Sequence, residues 1–111
     1  MLKGLIMGKA EAAVEKELDK QVKLAGGFSR KWVSPGHAGV EDRICFFPDG
    51  EVWFIEVKTA GRKPDAHQLR EIMRQRELGH NAGYLAGIHE VISFIASDRV
   101  AWMDRQMGML L

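Results

Sequence analysis

The sequence predicts an α/β fold in which helices cover both sides of a mixed β-sheet. Two runs rich in aromatic and branched residues, within positions 39–58, flank Pro48-Asp49-Gly50 and predict an antiparallel hairpin. A buried strand predicted at 82–86 follows a helical pattern over 64–79. A strand–helix–strand connection of this length favours parallel pairing with strand 51–58 through a right-handed crossover. One antiparallel and one parallel pairing make the sheet mixed.

The chain before the hairpin predicts one helix and one further strand. An amphipathic helix is predicted over 9–25, and Gly26-Gly27 is expected to end it. Its apolar stripe comprises Val14, Leu18, Val22 and Ala25. Residues 28–34 are predicted as a strand that ends at Ser34-Pro35-Gly36.

The hairpin places two carboxylates opposite each other. Gly50 is expected in the left-handed conformation that closes a three-residue loop, so that Phe47 faces Glu51. Counting back along both strands, Asp42 then faces Glu56, with Cβ atoms about 5 Å apart. Lys58 follows Glu56 by two residues and therefore projects from the same face.

Two like charges that face each other across two apolar strands should destabilise the sheet. A divalent cation would reverse the sign of that interaction, since hard cations prefer carboxylate oxygens. Asp42 and Glu56 therefore predict a metal site. The alternative is an exposed sheet end, where the two carboxylates fray apart and Glu56 and Lys58 form a solvated pair.

The chain after the hairpin predicts a helix, a strand and a second helix. Strand 51–58 is apolar on both faces, which is typical of a central strand. Pro64 is expected at the first position of the following helix, and Gly79 is expected to close it. The inward residues of that helix are predicted to be Leu69, Ile72 and Met73. A short helix over 88–96 is predicted to turn four residues inward: Ile88, Val91, Ile92 and Ile95.

The last residues of the chain, 100–111, are unusually apolar. A large exposed apolar surface usually marks an interface. The segment from Trp102 to Leu111 is therefore predicted to be the contact surface of a homodimer. The alternative is that it packs on the core of its own chain.

Length and composition are those of one globular domain over 1–111, with 46% hydrophobic and 28% charged residues. There is no apolar run of membrane-spanning length, and the first eight residues are too weakly apolar for a signal peptide. The single Cys45 excludes an internal disulfide and a cysteine-ligated iron–sulfur cluster. It also fits a reducing cytoplasm.

The net charge of +1 is lower than that of most nucleic-acid-binding domains. The positions of the charges matter more than their sum. Basic residues gather in three groups: Arg30, Lys31 and Arg43; Lys58, Arg62 and Lys63; Arg70, Arg74 and Arg76. A metal would offset the acidic site and leave these groups as a basic rim for phosphates. The alternative is an ordinary mixed surface.

Asp42, thirteen intervening residues and then Glu56-Val57-Lys58 resemble the PD-(D/E)XK nuclease core. The surrounding sequence is similar to its VRR-NUC (virus-type replication-repair nuclease) branch. The matching features are Gly26-Gly27, Lys31-Trp32-Val33-Ser34-Pro35-Gly36, Gly39-Val40-x-Asp42-Arg43-Ile44, Phe54-Ile55-Glu56-Val57-Lys58, Gly61-x-Lys63-Pro64 and Gln68. Glu41 departs from the family, which usually has proline there. Alternation turns Glu41 away from Asp42, so the site is expected to survive.

The resemblance implies a magnesium site, with Mn²⁺ able to substitute, held by Asp42, Glu56 and the backbone carbonyl of Val57. It implies a third carboxylate from the first helix: Glu15, or Glu11 one turn earlier. Lys58 and Gln68 would assist catalysis. From its spacing alone, Glu15 is expected at the solvent-exposed edge of the first helix. The spacing of Gln68 predicts that its side chain faces the sheet.

The resemblance also implies the activity and its setting. Small free-standing domains of this kind resemble structure-specific DNA endonucleases that act as homodimers on branched DNA such as Holliday junctions. A flap or nicking nuclease, monomeric or recruited by a partner, is the alternative within enzymes. A catalytically silent DNA-binding module is the alternative outside them. The expected compartment is the cytoplasm of a bacterial or phage-infected cell.

Overall fold

The computed structural model describes residues 2–36 and 43–110. The elements in chain order are α1 (Leu2–Leu24), β1 (Phe28–Lys31), β2 (Arg43–Phe46), a 3-10 turn (Pro48–Gly50), β3 (Val52–Lys58), α2 (Ala66–Glu77), β4 (Ala82–Ala86), α3 (Ile88–Ala96) and α4 (Arg99–Gly108). The described part of the first helix begins earlier than predicted, and β1 ends three residues sooner.

The four strands form one sheet in the order β1-β2-β3-β4. β1 pairs with β2 and β2 with β3 in antiparallel fashion, whereas β3 and β4 are parallel. The predicted α/β fold with a mixed sheet between helices is therefore confirmed. β3 is central, as its apolar pattern on both faces indicated.

The β2–β3 hairpin has the predicted register. Ile44 pairs with Phe54 and Phe46 with Val52, and the Phe47 N–H donates to the Glu51 carbonyl at 2.8 Å. Gly50 has the expected positive φ of 80°, and Asp49 also enters the left-handed region at 66°. Aspartate tolerates this conformation better than most residues. Asp42, with Gly39, Val40 and Glu41 of the motif, lies outside the described residues.

The sheet has two faces, named here after the helices that pack on them. On the α1 face, Trp53, Ile55 and Val57 are buried, and the Trp53 ring meets Phe94 of α3 edge-on at 5.1 Å. Alternation turns Phe54, Glu56 and Lys58 of β3 to the α2 face. The two long helices thus lie on opposite sides of the sheet, as predicted.

The junction between α1 and β1 explains the Gly26-Gly27 pair. Gly26 has φ of 92°. Its N–H donates to the Lys23 carbonyl at 3.0 Å, and the Gly27 N–H donates to the Val22 carbonyl at 2.9 Å. This is a Schellman ending. A Cβ on Gly27 would lie 1.9 Å from the Phe46 carbonyl oxygen, so only glycine lets β1 approach β2 here.

The prediction that Pro64 opens α2 was wrong. The helix begins at Ala66, and Asp65 is its N-cap. The Asp65 N–H donates to Gln68 Oε1 at 2.8 Å, as in a capping box. This bond fixes the start of the helix two residues later than proline alone indicated.

The outer edge of β4 is covered by side chains from three helices. Arg76 donates to the Ala82 carbonyl at 3.0 Å and Gln106 to the Tyr84 carbonyl at 3.5 Å. Glu90 accepts from the Ala86 N–H at 2.9 Å. These bonds satisfy backbone groups that an open edge would offer to another strand.

Two predictions about the last helices were wrong in part. In α3, Ile88 and Ile92 are 42% and 45% exposed, whereas Phe94 is buried with Val91. The helix is rotated because Phe94 fits between Trp53 and Trp102. In α4, Met103 and Met107 are buried in the core of their own chain, which was the alternative reading of the apolar tail.

Candidate active site

Glu56 is a buried carboxylate in the central strand. It pairs with Tyr84 of β4 in the sheet register, and only 4% of its surface is exposed. The Gln68 side-chain amide donates to Glu56 Oε1 at 2.6 Å. Glutamate is rarely buried without charged or hydrogen-bonding partners, because desolvating a carboxylate is costly. Its burial therefore requires compensating partners, and Gln68 is one of them.

Gln68 is oriented by two bonds at once. Its Oε1 accepts from the Asp65 N–H, and its Nε2 donates to Glu56. The first bond fixes which end of the amide faces the carboxylate. The sequence placed Gln68 toward the sheet near the end of this strand, and in the structure its amide contacts Glu56.

Lys58 lies at the carboxyl end of β3. It shares the α2 face with Glu56, pairs with Ala86 and is half-buried. Its carbonyl accepts from the Gly87 N–H at 2.9 Å. In open α/β sheets, ligands bind beyond the carboxyl ends of the strands. The neighbouring Val57 side chain is fully buried on the opposite face, which fixes the backbone between the two polar residues.

Glu15 lies on the α1 side of the sheet. Its Oε1 is 3.7 Å from Lys31 Nζ and 4.0 Å from Arg43 Nη1. Among the residues that the structure describes, this buried oxygen has no hydrogen-bond donor. Glu11 is half-buried one turn earlier. The contacts of Glu15 are thus with β1 and β2, whereas Glu56 contacts α2.

Solved structures decide the family of this chain. A structure described as "VRR_NUC domain" is 34% identical, with a TM-score of 0.75, and the alignment covers 80% of this chain and 97% of that one. The chain belongs to the VRR-NUC family. A second structure, a "VRR_NUC domain protein" at 19% identity, covers 78% of this chain and 84% of its own, with a TM-score of 0.59. At that identity the second structure supports the fold alone.

One curated relative comes from a phage. It is "Putative nuclease p44" of Acyrthosiphon pisum secondary endosymbiont phage 1, 46% identical over 70 residues, which are 63% of this chain and 75% of that protein. The chain matches no family model. None of the helices in the described part of the chain is long and apolar enough to cross a bilayer.

Two of the predicted metal ligands with carboxylate side chains lie within the described residues. Glu56 offers carboxylate oxygens, which a hard cation prefers, on the α2 face. Glu15 has a buried oxygen without a hydrogen-bond donor among the described residues, but this oxygen lies near Lys31 and Arg43 on the α1 face. No three His, Cys, Asp or Glu side chains within residues 8–36 and 43–110 are grouped closely enough to hold a metal. The predicted set also includes Asp42, which lies outside those ranges.

Two of the basic residues assigned to a phosphate-binding rim are instead engaged in structural contacts. Arg43 donates to Ser29 Oγ at 2.7 Å and lies 3.6 Å from Asp19. Arg76 binds Asp104 at 2.6 Å and the β4 edge. The exposed basic residues from the three groups are Arg30, Lys31, Arg62, Lys63, Arg70 and Arg74. The rim prediction therefore needs correction at Arg43 and Arg76, which join elements of the fold.

Two residues near the site were missed from sequence. Asp65 anchors Gln68, and the Asp-x-x-Gln spacing before an apolar helix was a readable capping signal. Tyr84 is buried beside Glu56 in the register. Burial raises the pKa of its hydroxyl, and the charge of Glu90 raises the pKa further. Nothing in the strand pattern distinguished this tyrosine from a core residue.

Proposed function

We propose that this protein is a metal-dependent endonuclease that hydrolyses phosphodiester bonds in DNA. The observation that carries the proposal is the buried Glu56 carboxylate, held by Gln68 on the sheet face that also presents Lys58. A silent DNA-binding domain has no use for a buried acidic group on the same face as Lys58. Membership of the VRR-NUC family supports the same reaction class.

The residues that would hold Mg²⁺ or Mn²⁺ are Asp42, Glu56, the Val57 carbonyl and Glu15. The cation would lower the pKa of a bound water and offset charge on the scissile phosphate. Gln68 keeps the Glu56 carboxylate in one orientation through its 2.6 Å bond. Lys58 supplies a compact positive charge on the same face, suited to a phosphate oxygen in the transition state.

Branched DNA such as a Holliday junction is the substrate we propose, cut by a homodimer. A junction requires paired incisions in two strands, and a two-fold dimer presents two identical sites. Met103 and Met107 are buried in the core of their own chain. The side of α4 that carries them is therefore not available for contact with a second copy. Sedimentation equilibrium at tens of micromolar protein tests the dimer. A monomer that still cuts would favour a flap or nicking nuclease.

The decisive experiment is cleavage of labelled four-way junction, flap and linear duplex DNA with Mg²⁺, Mn²⁺ or EDTA. We expect the junction to be cut fastest, and EDTA to abolish cutting. Glu56→Gln and Lys58→Ala should each remove activity while the circular dichroism spectrum is retained. Glu77→Gln and Lys20→Ala make the same chemical changes at exposed positions and should remain active. Undiminished cutting in EDTA, or by Glu56→Gln, would refute the proposed mechanism.

A further inference from the structure

The α2 face of the sheet is only partly covered. α2 packs chiefly against β4, and the part of the face formed by β1 and β2 is aromatic. Pairing places Phe28 beside Phe46, and Ile44 beside Phe54. Phe28 is 44% exposed, and Phe46, Phe54 and Trp32 are half-buried. We name Phe28, Phe46, Trp32 and Phe54 the aromatic track.

The rings of the aromatic track contact one another in pairs. Phe28 and Phe46 are stacked, with centroids 4.8 Å apart and planes at 29°. Trp32 and Phe54 lie 5.5 Å apart at 55°. The Arg30 guanidinium lies over the Phe28 ring, 4.7 Å from its centroid. Apolar rings left partly in water, with a cation against them, are typical of a binding surface.

The aromatic track leads from the candidate active site. Phe54 precedes Glu56 by two residues on the same face, about 7 Å along the strand. Val52, which pairs with Phe46, is four residues from Glu56, or about 13 Å. The aromatic rings therefore extend from the site toward the turn at Pro48–Gly50 and stay on the α2 face of the sheet.

The charges on this face select the partner. Among the described strand residues that point to it, the charged ones are Arg30, Glu56 and Lys58, and Glu56 is buried. The accessible strand residues that the structure describes on this face are thus apolar or cationic, which suits a polyanion with flat rings. A two-fold contact through this face would bury the positive charges of both copies, and the accessible strand residues that the structure describes on this face include no acidic side chain to pair with them, which disfavours a second copy of the chain.

We propose that the aromatic track binds unpaired nucleotides of the DNA substrate by base stacking, with Arg30 at a phosphate. Unpaired bases present their faces to aromatic side chains, whereas bases inside a duplex are already stacked. The inference rests on the proposed nuclease function and extends it: nucleotides that become unpaired at the branch point of the substrate are held beside the scissile bond.

The test is binding of a labelled oligothymidylate in EDTA, which separates binding from cleavage. Phe28→Leu keeps an apolar side chain without the ring, and we expect it to weaken binding about tenfold. Phe28→Tyr keeps the ring and should bind like the wild type. Arg30→Gln should weaken binding, whereas Lys20→Gln, which removes a charge from an exposed position on α1, should not. Phe46→Leu serves as a second variant if Phe28→Leu does not fold.

The outcomes separate this inference from the nuclease proposal. Equal oligothymidylate affinity for Phe28→Leu, Phe46→Leu and wild type would overturn the inference even if the protein cuts DNA. Loss of a dimer in Phe28→Leu, with affinity for the oligonucleotide unchanged, would make the face a subunit interface and also overturn it. If oligothymidylate binding depends on Phe28 but the protein cuts no DNA with Mg²⁺, the nuclease proposal is refuted and the base-stacking inference stands.

Discussion

At the scale of single residues, Gln68 links the start of α2 to the carboxylate of β3. The same amide accepts from Asp65 and donates to Glu56. A helix cap therefore positions a candidate metal ligand. Residues that orient a ligand in this way commonly change metal affinity or activity by 10–100-fold when they are replaced.

Gln68→Leu should raise the Mg²⁺ concentration needed for half-maximal cleavage by about tenfold or more. The physical reason is that Glu56 loses the donor that orients it. Asp65→Ala is the matched control, since it disturbs the start of α2 and keeps the amide that faces Glu56. It should lower the thermal midpoint with little change in the Mg²⁺ requirement. If Gln68→Leu and the wild type require the same Mg²⁺ concentration, Gln68 caps α2 and does not orient a metal ligand.

Glu15 can be a helix-borne ligand or the acidic partner of Lys31 and Arg43. Glu15→Gln should abolish cleavage in the first case, because neutralising the carboxylate removes a ligand. In the second case the substitution should leave cleavage intact and lower the stability of the fold slightly, because the ion pairs at 3.7 and 4.0 Å are partly exposed. We expect loss of cleavage. If Glu15→Gln keeps full activity and Glu11→Gln loses it, the ligand from the first helix is Glu11, one turn earlier.

At the scale of elements, Glu51 connects the hairpin to α4. Arg99 of α4 donates to both of its carboxylate oxygens at 2.7 Å, and the Trp53 indole donates at 2.6 Å. The Arg99 guanidinium also lies 4.0 Å from the centre of the Phe47 ring. The hydrogen bonds from Arg99 are the main reason that the pKa of Glu51 falls below its usual 4.5, although burial opposes the shift.

Glu51→Gln should destabilise the fold by about 1–2 kcal/mol at neutral pH, because charge-assisted bonds are lost. Since the folded pKa is lowered, the contribution is present above the unfolded pKa and is lost as pH falls through the folded value. The difference in thermal midpoint between wild type and variant should therefore be largest at neutral pH and shrink below about pH 4.5. Glu77→Gln, at an exposed position, should show no such difference. If the difference in thermal midpoint between wild type and Glu51→Gln is the same below about pH 4.5 as at neutral pH, the stabilisation does not come from the Glu51 charge.

Local signals predicted the elements well, and tertiary packing decided what they could not. The Pro48-Asp49-Gly50 turn determined the β2–β3 register, because loop length determines register in a hairpin. The periodicity of α3 identified a helix and left its rotation open. Ile88 and Ile92 fit the apolar stripe as well as Phe94 does, and only the space between Trp53 and Trp102 selects Phe94. Asp42 lies outside the described residues, so its place opposite Glu56 stays a prediction.

At the scale of the whole molecule, α4 completes the core and closes the sheet. Met103 packs against Gly83 of β4, where a Cβ would lie 2.2 Å from the Met103 sulfur. Gln106 donates to both Glu90 and the Tyr84 carbonyl. Composition alone could not tell a core helix from an interface, because both bury the same apolar residues.

Met103→Ala should destabilise the chain by about 2–5 kcal/mol, as large-to-small changes at buried sites do. Met109, which is 76% exposed, makes Met109→Ala the matched control, with an effect near zero. Urea unfolding at two protein concentrations separates packing within one chain from packing between two. If Met103 lies in its own core, the difference between Met103→Ala and wild type stays the same at both concentrations. If Met103 were at a dimer interface, the loss would fall on association, and the difference would change as the protein is diluted.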